Sequence, residues 1–265
     1  MHEAIHRLYE ECPAGDSLPR PSSLPAWIER GRELVANLAT ERGLGAHPAE
    51  RAMLRRVEGL LARFLAEEAE REDRFRPWLL EARFGEGEDA ARPPLHLGDW
   101  GLHGAIDRVD RDGDGRALVI DYKLASSVSS LNKLEEEAKL QLQLYMLAVE
   151  DLWQAPAVGG VYHPLRGSSQ RRPRGVVLDQ AAETMGSHGV YSTDTVDAEG
   201  LAAVLDEARE RASRIVARMR SGDIRRDPGP RPGLRDHGIC PQFCDLAPIC
   251  RRDRAPAEPP EEEDL

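Results

Sequence analysis

From residue 48 to 73 apolar residues recur at three- and four-residue steps: Met53, Leu54, Val57, Leu60, Leu61, Phe64 and Leu65 fall on one side of a helical projection, with acids and arginines on the other. Pro48 suits the first turn, where the amide it lacks would have no partner anyway. The spacing therefore predicts a long amphipathic helix. The period then shortens. A strand is expected at 79–84, followed by a loop rich in Gly, Asp and Pro. Two strand-like runs at 101–109 and 117–122 flank the segment RDGDGR, whose Asp-Gly pairs suit a tight hairpin. Helical spacing returns at 131–152, the glycine-containing apolar run AVGGVYHPL at 157–165 reads as a strand, and 197–221 as a charged helix. Pro/Gly-rich breaks at 13–25 and 227–232 punctuate the chain, and no internal repeat is present. Interleaved strands and helices make this an α/β protein.

The hairpin carries the chemistry. With its turn centred on Asp114, Val109 faces Val119 and Asp107 faces Asp121, and opposed residues on one sheet face lie about 5 Å apart at Cβ. Lys123, two residues beyond Asp121, projects from the same face. Two carboxylates and an ammonium thus converge. Like charges so close need a cation between them, and hard oxygen ligands suit Mg²⁺ or Mn²⁺. Such an ion, with a lysine beside its water, points to phosphodiester hydrolysis. The bland alternative is a surface hairpin with ordinary turn acids and an exposed lysine. A second alternative is a calcium loop, because Asp110, Asp112, Asp114 and Gly115 match its opening positions and Asp121 its twelfth; the β-rich run ALVIDY, where that motif needs a helix, argues against it. Downstream, Gln141 and Tyr145 stand one helical turn apart, on one face, and both can bond phosphate or sugar oxygens.

Composition modifies this picture in three ways. The 265 residues carry 36 basic and 47 acidic side chains, a net charge of −11 that argues against a uniformly basic nucleic-acid coat. Five acids belong to the tail APAEPPEEEDL at 255–265, expected to be disordered; without it the balance is 36 against 42, or −6. Arginine clusters at 171–174, 225–226 and 251–254 are the candidate phosphate contacts, so weak, salt-sensitive, metal-dependent binding is expected. No apolar run approaches the roughly 18 residues of a membrane span, the N-terminus is too charged for a signal peptide, and a cytoplasmic location with no membrane partner is expected. No GxxxxGK[ST] segment is present, which excludes ATP hydrolysis by that route. Finally, Cys240, Cys244 and Cys250 form C-x3-C-x5-C, three thiols that need a fourth ligand. Cys12 or His237 can supply it, and thiolate sites accept zinc or an iron–sulfur cluster.

Taken in order, GAIDRVD, VIDYK and QLQLY resemble the PD-(D/E)xK nuclease superfamily, in particular its RecB-like and AddB-like branch, which also contains CRISPR-associated exonucleases. The resemblance spans residues 9–251. It implies a restriction-endonuclease-like core, a small mixed central sheet flanked by helices, and a Mg²⁺- or Mn²⁺-dependent DNA exonuclease that processes ends in recombination or repair. Asp107 and Asp121 would be metal ligands with the Tyr122 carbonyl assisting, Lys123 would stand at the attacking water, Glu81 would be the acid of the preceding strand, and Gln141 and Tyr145 would meet the DNA strand. Tyr9, Cys12 and Pro13 reproduce a YxxCP context, so the resemblance implies a [4Fe-4S] cluster on Cys12, Cys240, Cys244 and Cys250 that joins the termini, with zinc the alternative; the x3 spacing is one residue longer than the branch leads one to expect.

The implied organisation is 1–25 with the first cluster cysteine, 26–226 as the nuclease core, 227–254 as the cysteine segment and 255–265 as the tail. Implied partners are single-stranded DNA or DNA ends and a helicase subunit or fused helicase region, and a chain starting just before Tyr9 is expected to be a fragment or a free-standing relative. The branch also carries a metal-binding histidine in a GxxxH pattern before the sheet. His47 follows Gly43 at that spacing, whereas the helical segment GRELVANL at 31–38 has no histidine. Its loss would leave a catalytically weak module that binds DNA or a helicase partner, the alternative function.

Overall fold

A computed structural model describes residues 1–223 apart from 73, 137–138 and 168–171. Three helices come first, α1 (His2–Glu11), α2 (Leu24–Glu41) and α3 (Pro48–Ala69), followed by β1 (Arg76–Phe84), the two-stranded flap β2 (Leu95–His96) and β3 (Gly101–Leu102), β4 (Gly104–Arg111) and β5 (Ala117–Lys123). Then come α4 (Leu131–Glu136), α5 (Gln141–Trp153), β6 (Ala157–Pro164), β7 (Arg174–Leu178), α6 (Asp179–Ala182), β8 (Thr195–Val196) and α7 (Ala198–Arg220). The single helix expected over 131–152 is two, and β7 together with the helix α1 are elements that periodicity alone did not mark. Among the described residues no helix is long and apolar enough to cross a membrane.

Six strands form one mixed sheet in the order β1-β4-β5-β6-β7-β8, with β1, β4 and β5 antiparallel and β5–β6 parallel. The hairpin takes the register of a turn centred on Asp114, pairing Val109 with Val119 and Arg108 with Ile120. Helices cover both faces. On one, α1, α2 and α3 close over Leu118, Ile120, Tyr122 and Val161, burying Leu8, Tyr9, Trp27 and Phe64. On the other, α5 and α7 close over Val119, Tyr162 and Val176, burying Met146, Leu201 and Leu205. β6 is apolar without alternation because it is covered on both sides. Gly175 serves close approach: a Cβ there would lie 2.1 Å from the Gly160 carbonyl oxygen on β6.

The face under α1–α3 contains a buried ionic network. Arg108, fully buried, makes a bidentate pair with Asp110, Nη2 donating to Oδ2 at 2.7 Å, and Nη1 donates to Glu68 Oε2 at 2.8 Å and to the Tyr122 hydroxyl at 3.1 Å. The Tyr9 hydroxyl donates to Glu68 at 2.7 Å, Arg71 bonds both Glu68 and Asp110, and the Arg108 guanidinium lies 4.7 Å from the Tyr9 ring centre. One side chain therefore ties together α1, α3, β4 and β5. The calcium-loop alternative fails here: Asp110 is committed to two arginines, while Asp112 closes the turn by accepting from the Asp114 and Arg116 amides.

Burial alone would raise the Glu68 carboxyl, but the charges of Arg108 and then Arg71 outweigh it and hold it well below the usual carboxylate range. Its stabilisation is complete above the unfolded glutamate value of about 4.3 and declines as pH falls further. Glu68→Gln should lower unfolding stability by about 3–5 kcal/mol near neutrality, because it strands buried arginine charge. Urea titrations from pH 7 to 3 should also show a shallower acid slope for the variant; equal slopes would contradict the assignment. In the sheet, Gly175→Ala should lower the melting temperature by forcing β7 off β6, and an unchanged melting curve would show the crowding to be relieved.

Candidate active site

β4 and β5 pair from Arg108–Arg111 to Ala117–Ile120, and the same frame carried one residue further sets Asp107 across from Asp121. There the Asp107 carboxylate, rather than the β4 backbone, takes the Tyr122 N–H, at 2.8 Å. Lys123 Nζ reaches Asp121 Oδ2 at 2.7 Å, donates to Gln141 Oε1 at 3.0 Å and sits 4.9 Å from the centre of the Tyr162 ring on β6. Gln141 Nε2 in turn donates to the Tyr145 hydroxyl at 3.3 Å. The first turn of α5 is thereby laid against the end of β5. Gly104 makes this possible, since a Cβ at that position would press on Phe84 at 2.7 Å and on Tyr145 at 3.1 Å.

Glu81 lies in β1 between the pairs Leu80–Arg108 and Ala82–Ile106, so the frame aligns it with Asp107. Its φ of 44° is left-handed, a conformation a non-glycine residue holds inside a strand only when the surroundings impose it. Its charge is near enough to act on Asp107.

The carboxylates are under electrostatic stress. Burial is the main reason that the Asp107 carboxyl titrates above its ordinary value; the Tyr122 amide and His2 oppose the rise and Glu81 adds to it. Asp121 is also raised, first by burial and further by Asp107, with Lys123 opposing. Asp121 Oδ2 is buried, and although Lys123 Nζ touches it, the approach lies outside hydrogen-bond alignment, so this oxygen has no aligned donor. Tyr145 is pushed up by burial, with Gln141 opposing. Among the described residues no three His, Cys, Asp or Glu side chains converge closely enough to make a ready cage for an ion. The donor set nevertheless suits a hard divalent cation of the magnesium type, which keeps several waters and takes one or two carboxylates plus phosphate oxygens.

Of the residues singled out from sequence, Asp107, Asp121, Tyr122, Lys123, Gln141 and Tyr145 meet at one end of the β4–β5 hairpin, and Glu81 lies beside them. Cys12 ends α1 at a φ of 43°, its half-buried thiol 2.9 Å from the Tyr9 carbonyl oxygen; Cys240, Cys244, Cys250 and His237 lie outside the described residues, as do the segments 227–254 and 255–265. His47 is exposed at the N-cap of α3, where its amide donates to Glu50. The histidine at the site is His2, on the first turn of α1, with Nδ1 3.7 Å from Asp107 Oδ2 and its ring 6.0 Å from that of Tyr122. Spacing searches before the sheet pass over it, because only the packing of α1 carries it across the end of the hairpin. Arg108 and Glu68 also went unmarked, yet Glu68 continues the buried stripe of Leu61, Phe64 and Leu65, a position where a carboxylate needs a buried partner.

Comparison with known proteins gives two findings. A search of curated proteins finds no match to the chain. The family model of the PD-(D/E)XK nuclease superfamily matches residues 1–251, from the helix that carries His2 through the whole sheet. With its mixed sheet, helical layers and opposed acids beside a lysine, the chain belongs to the PD-(D/E)XK nuclease superfamily.

Proposed function

We propose that the chain is a metal-dependent DNA exonuclease of the RecB/AddB-like kind, hydrolysing phosphodiesters at single-stranded or unwinding ends. The observation that carries this reading is the buried Asp121 carboxylate, ion-paired with Lys123 and across from Asp107. Asp107, Asp121 and the Tyr122 carbonyl would hold Mg²⁺ or Mn²⁺, with the His2 imidazole at the Asp107 side. When bound, the ion supplies Lewis-acid stabilisation of phosphate charge and a more acidic water. Lys123 holds that water and screens the developing negative charge, a role suited to an ammonium fixed by Gln141 and the Tyr162 ring. Gln141 and Tyr145 offer an amide and a phenol to the scissile strand. Glu81, left-handed at φ 44° and aligned with Asp107, would add a third acid.

The cysteines complete the reading. Cys12 with Cys240, Cys244 and Cys250 would hold a [4Fe-4S] cluster that closes the chain's ends around the nuclease core and stabilises it through the entropy of the unfolded chain. DNA end processing beside a helicase is the context that suits such a protein.

End-labelled single-stranded DNA incubated with the full chain and Mn²⁺ should be degraded, and Asp121→Ala and Lys123→Ala should each lower the rate by about 10²–10⁴-fold. Wild-type protein that binds DNA without cutting it would instead establish the weak, nuclease-like binding module. His2→Ala should raise the Mn²⁺ concentration needed for half-maximal rate by about 10–100-fold; an unchanged requirement would remove His2 from the site. In chelator, Asp121→Asn should melt above wild type, since a buried carboxyl that titrates high is destabilising when ionised; a lower melting point would contradict the electrostatic reading. Anaerobically purified protein should be brown with broad absorbance near 400 nm, whereas a colourless protein with stoichiometric zinc would replace the cluster by zinc.

A further inference from the structure

Across the sheet, the row that holds Asp121 continues through its partner Tyr162 on β6 to Arg174 at the start of β7. Paired residues share a face, so Arg174 lies on the same side as Asp121 and Lys123, two strands and about 10 Å away. Beyond Arg174 the row ends in an aromatic group with basic flanks. The Tyr191 ring has Arg172 Cζ 5.0 Å and Arg174 Cζ 4.8 Å from its centre, and the residue is 43% exposed. Two arginines meet one ring because Pro173, between them, keeps the preceding residue extended, so that side chains two apart project to one side.

The mount is rigid. Asp194, fully buried, takes the Arg174 guanidinium by Nε and by Nη2 at 3.1 Å, and also accepts the Leu131 amide at 3.1 Å. Its own amide donates to the Tyr191 carbonyl at 2.9 Å. Arg174 is thus neutralised and spent on positioning. Arg172 is not: among the described residues it makes no ion pair with a carboxylate. In a chain with a net charge of −11, a guanidinium that lacks a carboxylate partner among the described residues and stacks on an exposed ring calls for a ligand with an anionic backbone and flat faces.

We infer that Tyr191 and Arg172 form a binding platform for single-stranded nucleic acid, on which a base stacks while the guanidinium takes the adjoining phosphate. This deepens the nuclease reading and rests on it for the identity of the ligand. Bases on aromatic rings bind with little regard to sequence, so the platform serves an enzyme that degrades any strand.

Fluorescence anisotropy of a labelled dT12 oligonucleotide with the full chain tests the platform, and wild-type hydrolysis of bis(p-nitrophenyl) phosphate with Mn²⁺ separately tests the nuclease reading. Binding is compared in the Asp121→Asn background, which keeps the oligonucleotide intact. Tyr191→Ala should weaken dT12 binding about tenfold or more, and Tyr191→Phe should bind as its parent does. Arg172→Gln, on the surface, should weaken binding and reduce the salt slope by about 1. Should Tyr191→Ala melt early, Tyr191→Phe and Arg172→Gln decide alone. Parent-like affinity and salt slope in Arg172→Gln, parent-like affinity in a folded Tyr191→Ala, or no dT12 binding by the parent would each overturn the platform. Weakened binding in the variants with no phosphodiester hydrolysis by wild type would keep the platform and sink the nuclease reading.

Discussion

The buried Arg108 guanidinium is the constraint on which the arrangement depends. An arginine with no exposed surface is tolerable only when its charge and its nitrogens are partnered, and here Asp110, Glu68 and Tyr122 partner all three nitrogens while the Tyr9 ring covers the guanidinium. These partners come from two helices and two strands, so the ionic requirement fixes how the α1–α3 layer lies on the sheet. Apolar packing around Phe64 and Trp27 supplies cohesion but would tolerate sliding; a shared guanidinium does not.

Tyr122 transmits that constraint to the site. Its hydroxyl is held by Arg108 on the helical side, its amide is held by the Asp107 carboxylate, and its ring meets His2. Asp107 and His2 are therefore set by the same network, although neither belongs to it. At the end of the hairpin the balance reverses. Two carboxylates raised by burial and a left-handed glutamate are each locally unfavourable, and Lys123 offsets only part of the strain at Asp121. A fold that partners its buried arginine and leaves a buried and a half-buried carboxylate with a single lysine beside them concentrates its electrostatic tension where a cation and a phosphate would relieve it.

Much of this was legible in the sequence because the information was local. Asp-Gly turn chemistry fixed the hairpin register, alternation put Lys123 beside Asp121, and helical spacing put Gln141 beside Tyr145. What escaped depended on contacts distant in sequence. His2 reaches Asp107 across more than a hundred residues, and the partners of Glu68 are visible only once α3 lies on β4. The break between α4 and α5 was hidden because LNKLEEEAKLQLQLY keeps helical spacing throughout; the requirement that Gln141 open a helix directly over Lys123 is tertiary. β7 was missed because RGVVL is short and follows a Pro- and Arg-rich stretch, and its pairing with β6 rather than its propensity makes it a strand.

The proposed seat of a divalent cation between Asp107 and Asp121 is probed most directly by calorimetric titration of the full chain with Mn²⁺, without reference to any substrate. Saturable binding is expected, and Asp107→Asn and Asp121→Asn should each abolish it or weaken it strongly. Binding of equal strength in wild type and both variants would contradict it.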